Sequence, residues 1–196
     1  MTQDAGLRRA QGLDPASGDS YDEASLTGAG LDPGLRGWLT CTGLLTERLS
    51  SLPGVRLRRL AESDVTLTDV ERRLMQTADQ SGRLREISLQ AGEIRYVYGT
   101  SLIPASLLRA YPWLRDLGEQ PLGATLTARL EVARSEFRFR RVDPLGPLAE
   151  RAAESNSCAD DDRSNLWARR STFRLPGGHI LVTEVFLPAL TPWPIS

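Results

Sequence analysis

The amino-acid sequence predicts an α+β protein built on a single antiparallel β-sheet with helices packed on one face. Three observations carry that prediction. Segments of alternating apolar and polar residues come in consecutive pairs joined by glycine-containing turns, the mark of hairpins. Apolar residues at helical spacing gather in two places, between Asp32 and Pro53 and again after Pro104. No glycine-rich phosphate loop stands between a strand and a helix, which argues against a parallel nucleotide-binding sheet. With 196 residues, 40% of them hydrophobic and 25% charged, the chain has apolar material for one core, so one domain is expected.

Residues 1 to 30 collect Gly, Asp and Ser without periodic apolar spacing and read as a disordered or loosely attached arm, with the folded domain expected over 31 to 196. Asp32-Pro33 opens it as an N-cap acid followed by proline at the first helical position. Leu35, Trp38 and Leu39 follow at helical spacing, Gly43 interrupts, and Leu44, Leu45 and Leu49 resume, which predicts a helical hairpin that Pro53-Gly54 ends. Residues 55 to 75 predict a strand or two, because Val55 and Leu57, then Val65 and Leu67, alternate with polar partners. Residues 83 to 89 and 94 to 103 predict a hairpin around Ala91-Gly92. Pro104 begins a helical segment through Leu107 and Leu108 that breaks near Pro112, and a turn from Gly118 to Gly123 leads into another short helix. A strand is expected at 130 to 141. Its arginines alternate with Glu131 and Glu136, so they read as a solvated face, not a phosphate-binding stripe. Residues 143 to 164 read as a surface-loop insertion with room for a short helix. Strands at about 167 to 175 and 179 to 187, joined across Pro176-Gly177-Gly178, close the chain.

Composition removes several function classes. A net charge of −1 argues against a nucleic-acid surface. No apolar run approaches the ~20 residues of a membrane-spanning helix, and the acidic, Gly-rich start does not resemble a secretory signal, so a cytoplasmic protein without membrane insertion is expected. Cys41 and Cys158 lie far apart and specify neither a disulfide framework nor a zinc site. A single histidine, His179, rules out a His-based metal cluster, and its place after Gly177-Gly178 makes it a hairpin-turn residue. All 24 basic residues are arginine, so an Arg informs only through its position.

Two positions stand out. Period-two alternation puts Ile180, Val182, Glu184 and Phe186 on one face of the last strand, with Leu181, Thr183, Val185 and Leu187 on the other, so Glu184 has apolar neighbours on both sides. Arg85 shares a face with Ile87 and Leu89 in the same way. A buried carboxylate or guanidinium needs a partner, and the pair reads either as a structural salt bridge or as a ligand pocket. In the pocket reading, an Arg fork takes a carboxylate through two parallel hydrogen bonds. A Glu in apolar surroundings has its pKa raised and hydrogen-bonds a hydroxyl or ether oxygen.

The order of motifs then resembles bacterial chorismate lyase: Leu84-Arg85-Glu86-Ile87, Pro121-Leu122-Gly123, Leu166-Trp167-Ala168-Arg169-Arg170-Ser171 and Thr183-Glu184-Val185-Phe186-Leu187-Pro188. The similarity spans about 31 to 190, and the last two blocks, a Trp-x-Arg-Arg-Ser strand and a Thr-Glu-x-Phe-Leu-Pro strand, are its most specific part. The resemblance implies an antiparallel sheet with helical flaps over an internal ligand cavity. It also implies a cofactor-free lyase that eliminates pyruvate from chorismate to leave 4-hydroxybenzoate, the first committed step towards ubiquinone or a related aromatic product. Residue by residue, it implies that Arg85 binds the ring carboxylate with help from the backbone amide of Leu122, and that Glu184 faces the 4-hydroxyl as the proton-handling or hydrogen-bonding group. The hairpin around Leu44 and Leu45 looks like one flap, with Leu where the family pattern favours Met. Chorismate carries a second carboxylate, for which Arg169 or Arg170 is the candidate, and strand alternation lets only one of the two face the cavity. Chorismate, 4-hydroxybenzoate and pyruvate are then the small-molecule ligands of a chain expected to be a monomer. The competing reading is a non-catalytic effector-binding domain of the same fold. Against it, residues 1 to 30 are too short and too Gly-rich for a winged helix-turn-helix.

Overall fold

The computed structural model describes residues 8–9, 26, 30–154 and 165–190. In chain order its strands are β1 (Arg8–Arg9), β2 (Arg56–Thr66), β3 (Ser81–Ala91), β4 (Ile94–Pro104), β5 (Ala133–Arg134), β6 (Arg138–Arg141), β7 (Trp167–Leu175) and β8 (Gly178–Phe186). The helices are α1 (Pro33–Thr40), α2 (Leu45–Leu49), α3 (Asp69–Met75), α4 (Ala105–Ala110), α5 (Leu122–Arg129) and α6 (Pro147–Ala153), with 3-10 turns at Pro112–Arg115 and Pro188–Leu190. The strands form one sheet in the order β1-β2-β3-β4-β8-β7, and β5 and β6 both pair with the outer edge of β7. Every pairing is antiparallel except that of β1, which lies parallel to β2 at Val65 and Thr66.

Local chemistry accounts for most boundaries. The Asp32 side chain accepts hydrogen bonds from the amides of Gly34 and Leu35 and starts α1 as expected. Gly92 and Gly177 take positive φ, 57° and 96°, in the β3–β4 and β7–β8 turns, where side chains with a Cβ are disfavoured. The segment 55 to 75 is one strand followed by a helix. Thr68 caps α3 through the Glu71 amide while the Glu71 carboxylate accepts from the Thr68 amide, a reciprocal box that ends the strand alternation at Thr66. The strand expected over 130 to 141 is two short pieces. Between them, Ser135 uses its hydroxyl in place of a backbone carbonyl to accept from the Thr172 amide, which breaks the ladder.

The α+β, antiparallel class is as the sequence predicts, but the helices do not stay on one face. α1, α2, α4 and α5 cover the face that carries Leu89, Ile103, Phe173, Val182 and Phe186. The opposite face is apolar as well, at Leu84, Leu102, Leu181 and Val185, and needs its own cover. α3 supplies Met75 there and α6 supplies Leu148, Ala149 and Ala152, so part of the expected surface loop at 143 to 164 packs into the core. Arg151 of α6 reaches Glu86 at 2.7 Å, and Glu86 also accepts the hydroxyl of Tyr98, which fastens α6 to the sheet. Most of the arm predicted at 1 to 30, and Cys158, lie outside the described residues, although Leu26 is buried in the largest core cluster.

Register places the two singled-out charges on one face. Arg85 lies opposite Ser101 of β4, which lies opposite Val182 of β8; Ile87 lies opposite Gly99, and Gly99 opposite Glu184. Cross-strand neighbours share a face, so Arg85 and Glu184 point the same way from positions two strands over and two residues along, a backbone span of roughly 12 Å. Glu184 in turn lies opposite Arg169 of β7.

Candidate active site

Arg85 is one of the most deeply buried side chains, 2% exposed. Its Nη2 donates to the carbonyls of Gly118 and Gln120 at 2.9 and 3.0 Å, and its Nε lies 3.5 Å from the Glu62 carboxylate on the neighbouring strand β2. Burial pulls its pKa down and the Glu62 charge opposes that, leaving a guanidinium that stays charged at any working pH. These contacts hold the loop that leads into α5, whose first turn presents the Leu122 and Gly123 amides. Thr125 is the first residue of that helix to donate backward, to the Pro121 carbonyl at 3.0 Å. A guanidinium and the positive end of a helix thus converge, and both favour an anion.

At the other end, Oε2 of Glu184 accepts from Nε of Arg169 at 2.6 Å and from Nη2 of Arg134 at 3.3 Å. The sequence reading, a carboxyl raised in pKa by apolar neighbours, is corrected here. Burial does push Glu184 up, but the Arg169 and Arg134 guanidiniums more than reverse it, and the pKa falls below the ordinary glutamate value. Glu184 is a carboxylate that accepts hydrogen bonds and does not donate one. Arg169 is fully buried, with Nη1 donating to the carbonyls of Leu39 and Cys41 at 3.2 and 2.8 Å, so it ties the end of α1 to Glu184.

Between the two ends lies a cavity with about 70 Å³ open to the centres of water-sized spheres. That is room for roughly five waters, about the space of a substituted benzene ring. Arg85, Glu184, Leu45, Leu122, Val97 and Val182 are among its walls. Leu44 and Leu45, at the start of α2, close it on the flap side. The Pro121-Leu122-Gly123 segment has a packing reason for its glycine: a Cβ at Gly123 would stand 2.8 Å from Leu44 Cδ2 and 3.4 Å from the Phe173 ring.

A profile of the family described as chorismate lyase matches residues 29–193. The chain belongs to the chorismate lyase family. Among curated relatives, the probable chorismate pyruvate-lyase of Cupriavidus metallidurans is 39% identical over 158 residues, covering 79% of this chain and 73% of that one. The probable chorismate pyruvate-lyase of Dechloromonas aromatica is 38% identical over 169 residues, covering 84% and 92%. Among solved structures, the effector domain of PhnF from Mycobacterium smegmatis superposes with a TM-score of 0.55 at 18% identity, covering 75% of this chain and 90% of that one. At that identity the likeness is one of fold.

Within this chorismate lyase fold, Arg85, Leu122, Glu184 and Leu45 come together around one cavity. Arg169 shares the face but holds Glu184 and backbone carbonyls and does not line the cavity. Arg170 points to the opposite face, where its Nε meets the Thr183 hydroxyl at 3.4 Å beside a separate surface hollow, so it is removed from the site. Arg134, read in the sequence as part of a solvated face, lines the cavity instead. The broken ladder at Ser135 hid it, because alternation across that break assigns no face. Among the described residues no three His, Cys, Asp or Glu side chains converge to hold a metal ion.

Proposed function

We propose that this cavity is where the chain eliminates pyruvate from chorismate, with Arg85 and the Leu122 amide binding the ring carboxylate and Glu184 accepting a hydrogen bond from the ring hydroxyl. The observation that carries the reading is the placing of a buried guanidinium and an ionised carboxylate on the walls of one benzene-sized cavity. An Arg and a helix N-terminus suit a carboxylate, and a carboxylate suits a hydroxyl, so the ring is held in one direction.

The elimination takes a proton from the hydroxyl-bearing ring carbon and breaks the ether C–O bond towards the enolpyruvyl oxygen. The ring becomes aromatic, and the released enol becomes pyruvate on gaining a proton at its methylene carbon. Aromatisation drives the step, so fixing one conformer in the cavity is the protein's main contribution. Positioning of that kind is worth up to ~7–11 kcal/mol in general. On this reading Glu184, kept ionised by Arg169 and Arg134, is the group that receives the ring proton.

Incubation with chorismate tests the reading. Release of pyruvate and 4-hydroxybenzoate in equal amounts is the expected result; thermal stabilisation without turnover means an effector-binding domain, and neither means a structural role for the pair. We read the chain as a monomer and place it in the cytoplasm, both on the sequence expectation. Sedimentation velocity and cell fractionation check these two points. The step towards ubiquinone or a related aromatic belongs to the same proposal.

A further inference from the structure

Substrate and product of this reaction differ by a charge at one place. Chorismate carries a second carboxylate on its enolpyruvyl arm, and 4-hydroxybenzoate has none. Three arginines stand on or behind the cavity wall, and two are anchored by short contacts, although Arg85 Nε and Arg169 Nη2 are buried without a hydrogen-bond partner among the described residues. Arg85 is at the far end, fastened to the Gly118 and Gln120 carbonyls with Glu62 beside it. Arg169 is sealed behind the wall, its Nε on Glu184 and its Nη1 on backbone carbonyls.

Arg134 is differently placed. It lines the cavity, and its side chain is 19% exposed where that of Arg85 is 2% exposed. Its Nε donates to the Ser171 hydroxyl at 2.8 Å, whereas Nη1 reaches the Gly43 carbonyl only at 3.5 Å and Nη2 reaches Glu184 at 3.3 Å, both at the long end of hydrogen bonding. The guanidinium lies over the rings of Phe137 and Phe173, at 4.5 and 5.0 Å, which steadies its plane, so an anion has only the two long contacts at Nη1 and Nη2 to exchange. Two guanidiniums also share one oxygen of Glu184, so this end of the cavity carries one positive charge beyond what the carboxylate neutralises. Away from bulk water, such an excess favours a second anion.

We propose that Arg134 is the cation that receives the enolpyruvyl carboxylate of the substrate, and that the product, lacking that group, does not need it. The assignment rests on the lyase reading above and adds a residue that tells substrate from product. It replaces Arg169 and Arg170 in that role.

The test compares Arg134→Gln and Arg134→Lys with the wild type in two measurements: steady-state pyruvate release from chorismate, and 4-hydroxybenzoate affinity by calorimetry. The expected result for Arg134→Gln is a KM for chorismate raised about 10- to 100-fold with a product Kd changed by less than about threefold, since the substrate loses a charged hydrogen bond while Glu184 loses only its longer contact and keeps Arg169 at 2.6 Å. Arg134→Lys keeps the charge and is expected to recover part of the KM. A product Kd that rises in step with the chorismate KM overturns the assignment, because Arg134 then acts only by supporting Glu184. An unchanged KM in Arg134→Gln with an active wild type overturns the assignment alone, whereas a wild type that releases no pyruvate overturns the lyase reading as well.

Discussion

At the residue scale the chemistry of the site turns on the charge state of Glu184. Its pKa lies below the ordinary glutamate value because Arg169 and Arg134 outweigh burial, so the ionised form persists to lower pH than in a free glutamate. The pH profile of kcat/KM is therefore expected to show no glutamate limb between pH 7 and about pH 5, with loss only below the usual value of 4.5. An acid limb above pH 5 that disappears in Glu184→Gln contradicts this. Glu184→Gln itself is expected to lower kcat by about 100-fold or more. It also leaves Arg169 buried without its anion, which lowers the melting temperature. Arg85→Ala is expected to weaken 4-hydroxybenzoate by about 10- to 100-fold in calorimetry, the range for a lost hydrogen bond to a charged group. Strand alternation was enough to find Arg85 and Glu184 in the sequence, because each sits in an unbroken run of alternating residues. The ionisation state was not legible that way. It depends on Arg169 across the β7–β8 ladder and on Arg134, fifty positions from Glu184, and no local pattern reports such pairings.

At the element scale, helix starts were legible where a cap precedes an apolar stripe, as at Asp32-Pro33, and missed where strand-like alternation ran up to the cap. Thr68-x-x-Glu71 is a capping box that stands in the sequence, but Val65 and Leu67 continue the alternation of β2 to its edge and mask it. Thr68→Ala is expected to cost about 1 kcal/mol and roughly 2–4 °C in melting temperature, read by thermal unfolding. Turnover is expected to stay at the wild-type level, since α3 packs on the face away from the cavity. The contact between α5 and the flap behaves differently. Gly123→Ala puts a methyl group 2.8 Å from Leu44 Cδ2, the end of a flexible side chain on the cavity wall, so that side chain must turn aside. Weaker 4-hydroxybenzoate binding by calorimetry is expected, while an affinity equal to the wild type would show that Leu44 turns without changing the cavity.

At the scale of the whole molecule, the sheet joins the two ends of the site. β3 and β8 are separated only by β4, so the distance between Arg85 and Glu184 is set by strand spacing and is independent of loop conformation. The hairpin order was readable from turn glycines. The helices on both faces followed from a fact already in the sequence, the apolar character of Leu181 and Val185, whose cover came from segments read as strand and loop. A ligand spanning the cavity links β3, β8, α5 and the α1–α2 flap, so product at 100 times its Kd is expected to stabilise the fold by about 2.7 kcal/mol. The two anchors fix the direction of the ring between them, which a crystal structure with 4-hydroxybenzoate bound would reveal. The carboxylate is expected on the Arg85 guanidinium and the Leu122 amide, with the hydroxyl within hydrogen-bond reach of Glu184. A product bound with its ring reversed, or bound outside this cavity, would contradict that placement.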